Sequence, residues 1–69
     1  MQIFDTEMKE FLLKRMAERK NQGRMKEIRT LGKAYTPDEQ IAEAKMGTQA
    51  GIEFLMAEKK LHDFLQKTL

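Results

Sequence analysis

Residues 36–51 read Thr36-Pro37-Asp38-Glu39-Gln40-Ile41-Ala42-Glu43-Ala44-Lys45-Met46-Gly47-Thr48-Gln49-Ala50-Gly51, and the fold class turns on them. Thr36 has a side-chain oxygen to accept from the unpaired N–H groups of a first helical turn. Pro37 stands where a missing N–H costs nothing, and Glu39 at the third helical position completes a capping box. A helix therefore starts at about residue 37. Gly47 and Gly51 then fall four apart in a strongly helical pattern, each costing about 1 kcal/mol relative to alanine in a helix interior. Two readings fit: a break into helices over 37–46 and 49–67, or one long helix over about 37–67 with the two glycines admitting a neighbouring helix at close range. Because no proline and no strong cap marks a restart, the pattern favours the long helix.

Working outward, Asp5 caps a helix expected over about 6–21, with Phe4, Met8, Phe11, Leu12 and Met16 spaced three and four apart and Gly23 as its stop. A short helix over about 24–31 follows, with Met25, Ile28 and Leu31 on one side and Gly32 as its end. Composition agrees: Ala, Leu, Met, Glu, Gln, Lys and Arg fill 45 of 69 positions, and there is no valine and one proline, which excludes an all-β architecture. The expectation is all-α, a single helical domain over 1–69 in which three helices assemble as a helical-bundle oligomer. Oligomerisation follows from size. A helix of about 30 residues extends roughly 45 Å, longer than a domain this small covers, and below about 70–80 residues one core rarely supplies more than 3–5 kcal/mol. Gly47, Gly51, Phe54, Leu55, Leu61, Phe64 and Leu65 are the expected interface, Ala57 lying on the same face, and a second copy is the expected partner.

Charge is uneven. Residues 1–13 and 34–69 each carry a net −2, whereas residues 14–33 hold eight bases against two acids, a net +6. The bases are Lys14, Arg15, Arg19, Lys20, Arg24, Lys26, Arg29 and Lys33. With Tyr35 as a stacking ring, they form the candidate anion- or partner-binding segment, open to a protein partner, a nucleic acid or a small anionic ligand such as a nucleotide. Arg15 and Arg19 continue the stripe begun by Phe11. Arginine on an apolar face must pair or reach water, so the two are read either as a grip on a carboxylate or phosphate or as charges extending past the helix edge.

Other chemistry is excluded or weak. With no serine and no cysteine, Ser and Cys nucleophiles, disulfides and thiolate metal sites are out. Glu58, His62 and Asp63 offer at most half of a metal site at unsuitable spacing. Residues 36–52 look superficially like a helix-turn-helix, but Ala42 and Gly47 are five apart where the motif has four, and residues 48–56 contain one acid and no base. Six methionines suggest adaptable surfaces or core filling. No catalytic residue, metal or cofactor is expected. The segment beginning Met1-Gln2-Ile3-Phe4-Asp5 lacks a basic region and a long apolar run, and no stretch approaches the roughly 20 apolar residues of a membrane span, so a cytoplasmic setting is expected. The functional expectation is a small non-enzymatic helical interaction module that self-associates and binds a macromolecular partner, a small regulatory or inhibitor protein being one form it could take. The alternative is an anionic-ligand or nucleic-acid binder using residues 14–33.

Overall fold

The computed structural model describes residues 4–67; Met1 of the methionine set lies outside the described residues. The order is α1 (Thr6–Asn21), β1 (Ile28–Thr30), β2 (Lys33–Tyr35), α2 (Pro37–Met46) and α3 (Gln49–Lys67). The described residues are thus mostly helical, with three helices and a small antiparallel sheet.

Both N-terminal signals act as read. Asp5 Oδ1 accepts from the Met8 amide at 2.7 Å. Thr36 and Glu39 form the reciprocal capping box, the Thr36 amide donating to Glu39 Oε1 at 3.0 Å and the Glu39 amide to Thr36 Oγ1 at 3.2 Å. At the other end of α1, Gly23 takes φ +69. The Gly23 amide donates to the Lys20 carbonyl at 3.0 Å and the Arg24 amide to the Arg19 carbonyl at 2.8 Å, the paired bonds of a Schellman stop.

The expected helix over 24–31 is corrected to an extended connection and a β-hairpin. Ile28 pairs with Tyr35, Arg29 with Ala34 and Thr30 with Lys33, leaving Leu31-Gly32 as a two-residue loop. Leu31 at φ +53 and Gly32 at φ +74 supply the positive φ at both central positions that a type I′ turn requires. The backbone of this segment is satisfied from outside. Gln40, only 2% exposed, donates from Nε2 to the Lys26 carbonyl at 2.8 Å and to the Tyr35 carbonyl at 3.1 Å. In a helix the Lys26 carbonyl would have served residue 30; here α2 takes it and pins both arms of the connection.

The expected single helix over 37–67 is corrected as well: it is two helices joined by Gly47 and Thr48. Gly47 is the left-handed stop of α2, its amide donating to the Glu43 carbonyl at 3.0 Å. Thr48 restarts the chain: its Oγ1 accepts from the Gly51 amide at 3.1 Å and donates to Glu43 Oε1 at 2.6 Å, so one hydroxyl serves both helices. Gly51 is where backbones approach closely, because a Cβ there would collide with the Glu43 carbonyl at the end of α2. Gly47 has no such neighbour: a Cβ there would meet only Lys9 Nζ, at 3.9 Å. That lysine crosses from α1 to donate to the Lys45 carbonyl at 3.1 Å, placing a cation at the C-terminal end of α2.

The core gathers Leu12 and Met16 from α1, Met25 from the connection, Tyr35 from β2, Ala44 from α2, and Ala50, Phe54 and Leu55 from α3. Phe54 and Leu55, read as interface residues, are therefore buried within the chain. Met46 and Met56 are exposed.

Candidate functional site

The last turns of α1 and the second half of α3 bring together the groups with most chemical potential. Arg15 and Arg19, four apart on α1, converge on Glu58 of α3. Arg15 Nε lies 3.4 Å from Glu58 Oε2 and Arg19 Nη2 lies 2.8 Å from Glu58 Oε1, with the glutamate side chain wholly shielded and each arginine side chain 26% exposed. Neither Glu58 oxygen, nor the Nε of either arginine, has a hydrogen bond of good alignment among the described residues, so the cluster is held by charge more than by directed bonds. A carboxylate removed from water is costly unless paired, and two guanidinium groups offset that cost here while leaving the cluster one positive charge in excess.

Neighbouring packing holds the arginines in place. Arg15 Cζ sits 5.7 Å from the centre of the Phe11 ring, and Phe11 meets His62 edge-on at 5.1 Å. The Schellman stop at Gly23 turns the chain back so that Arg24 stands beside the end of α1, where its Nη1 donates to Gln22 Oε1 at 3.3 Å. The result is a cleft of about 110 Å³ lined by Arg15, Glu18, Arg19, Gln22, Arg24, Leu61 and Leu65. Cations line it beside aliphatic carbon, so it suits an anionic group that carries an apolar neighbour.

The remaining bases of the 14–33 segment scatter. Lys20 pairs with Asp38 at the start of α2. Lys33 Nζ lies 3.9 Å from Glu39 and 5.0 Å from the centre of the Tyr35 ring. Lys14, Lys26 and Arg29 are exposed and have no ion pair among the described residues. Tyr35 is 8% exposed and packs edge-on against Phe54 at 5.2 Å, which leaves it no open face for stacking on a base. Of the interface set, Leu61 is half-buried, while Phe64 and Leu65 are 62% and 40% exposed.

Glu58, His62 and Asp63 do not converge. Glu58 faces the arginines, His62 faces Phe11, and Asp63 accepts from Lys59 at 2.7 Å, a bond that lowers the Asp63 pKa below its ordinary 3.8. Among the described residues no group of three or more His, Asp or Glu side chains is arranged to hold a metal ion. α2 and α3 do form a tight helix–turn–helix pair, yet the exposed residues early in α3 are Gln49, Glu53, Met56, Ala57 and Lys60, whose charges cancel.

Sequence reasoning missed Glu58 as the partner of Arg15 and Arg19. The signal was present: Gly51, Phe54, Leu55 and Glu58 share one helical face, so an acid on the apolar stripe of one helix matched two bases on the apolar stripe of another. Comparison with known protein families, with characterised proteins and with solved structures finds no match to this chain.

Proposed function

We propose that the chain is a small non-enzymatic helical interaction module that self-associates and engages a macromolecular partner. The supporting observation is large apolar side chains of α1 and α3 left exposed: Phe11 is 41% exposed, Phe64 62% and Leu65 40%. Fully burying such a side chain is worth about 1.5–3 kcal/mol, and covering the part still exposed here roughly half of that. The three from each of two copies together offset an association entropy at the lower end of its range. A second copy is the simplest occupant because one self-complementary surface suffices. No helix among the described residues is long and apolar enough to cross a membrane.

Light scattering at about 100 µM tests the reading, where an assembly at least twice the 8.1 kDa chain mass is expected. Phe64→Asp, at the most exposed of these three positions, should return the chain to monomer without loss of helicity. A parent chain that is monomeric throughout overturns self-association. A second reading, nucleic-acid binding, is favoured by the exposed Lys14, Arg24, Lys26 and Arg29. It requires a gel shift that weakens steeply between low and high salt.

A further inference from the structure

We propose that the cleft between the end of α1 and α3 is a carboxylate-binding site, and that its ligand is an acidic side chain flanked by aliphatic residues on a protein partner. The proposal rests on the interaction-module reading and names the chemistry of the partner. Three observations carry it. The first is donor capacity: a guanidinium presents five N–H groups in a planar fork, and Arg15 and Arg19, both lining the cleft, meet Glu58 through Nε and Nη2 respectively, so each retains further N–H groups. Arg24 adds a third guanidinium whose neighbour is an uncharged amide oxygen of Gln22.

The second is charge balance. Arg15, Arg19 and Arg24 against Glu18 and Glu58 leave one positive charge around the cleft. A monoanion neutralises it, whereas a phosphate, carrying about −1.5 to −2 at neutral pH, would overshoot. The third is shape. Leu61 and Leu65 line the same cleft, and its volume of about 110 Å³ admits a carboxylate with a short stretch of aliphatic carbon beside it. All the cations are arginine, the side chain whose geometry matches a carboxylate bidentately.

The test uses the full chain and an acetylated, amidated Leu-Glu-Leu peptide, followed through the arginine Nε–H signals and leucine methyls by NMR. Saturable shifts at Arg19, Arg24, Leu61 and Leu65 are expected, with the matching Leu-Gln-Leu peptide binding at least about tenfold more weakly, as loss of a charge-assisted hydrogen bond implies. Arg24→Gln, at an exposed position outside the core, should weaken the Glu peptide about tenfold, whereas Lys14→Gln, which removes the same charge elsewhere on α1, should leave it unchanged. The proposal is overturned if the two peptides titrate alike, if both variants weaken binding equally, or if inorganic phosphate at matched ionic strength binds the same signals more tightly. A chain that binds the peptide yet stays monomeric retains the site and loses self-association. A chain that assembles and ignores the peptide does the reverse.

Discussion

Gly51 is a residue at which one atom decides the packing of two helices. Alanine there would gain about 1 kcal/mol of helix propensity, but its Cβ would enter the space of the Glu43 carbonyl, which is backbone and cannot rotate away. Overpacking of this kind costs about 1–3 kcal/mol, and more when backbone must move, so the clash wins. Gly51→Ala is expected to lower the urea midpoint; an unchanged or raised midpoint would show that α2 and α3 part easily. Glu39 is informative in a different way. The Thr36 backbone N–H, with smaller help from the Thr36 side chain and Lys33, lowers its pKa below the ordinary 4.5 against a modest desolvation effect. A carboxylate lowered on folding stabilises the fold above its unfolded pKa and loses that contribution as pH falls through the folded value. Melting temperatures of parent and Glu39→Gln should therefore differ at neutral pH and converge only once pH has fallen through the lowered folded-state pKa of Glu39. Curves that stay parallel into acid would show that the capping box does not depend on charge.

At the scale of elements, the hairpin carries a strained tip. Leu31 holds φ +53 in a turn that favours asparagine or glycine, and its side chain is 55% exposed. Leu31→Asn is expected to stabilise by about 0.5–1 kcal/mol, read as a rise in melting temperature; a fall would mean that Leu31 contributes packing that outweighs its backbone strain. The same leucine explains why the hairpin was hard to read. Ile28 and Leu31 lie three apart like helix neighbours, three-residue strands offer barely one period of alternation, and Gly32 ends a helix as readily as it closes a type I′ turn. Asp5, Thr36, Pro37 and Glu39 were legible because their chemistry is local. Thr48 makes an equally local cap with the Gly51 amide, but with no proline or glutamate after it to mark a helix start, the flanking glycines read instead as a close approach within one helix. The site divides along the same line: the Arg15–Arg19 stripe is visible along one helix, whereas its counter-charge Glu58 belongs to a pairing made only when α1 docks on α3.

For the whole molecule, that docking joins the apolar core of Leu12, Met16, Phe54 and Leu55 to the Arg15–Glu58–Arg19 cluster. Glu58→Gln would leave two partly buried guanidinium groups without a counter-charge, and breaking a buried pair costs up to about 3–5 kcal/mol; partial exposure of the arginines reduces this to roughly 2 kcal/mol. Replacing all three charges with apolar residues of similar volume should recover most of the loss. Chemical denaturation of the single and triple variants decides it: a triple variant no more stable than Glu58→Gln would mean that the charges do more than compensate one another.

Thr48 has a consequence in time. The hydroxyl that joins α2 to α3 makes bonds spanning three to five residues of sequence, whereas Lys9 must find the Lys45 carbonyl across thirty-six. Closing a short loop sacrifices little chain entropy and closing a long one more, so the helix pair is set to assemble early and α1 to arrive late. The arginine cleft, built from α1 and α3, would then be among the last surfaces to exist during folding and the first to vanish when the chain begins to open.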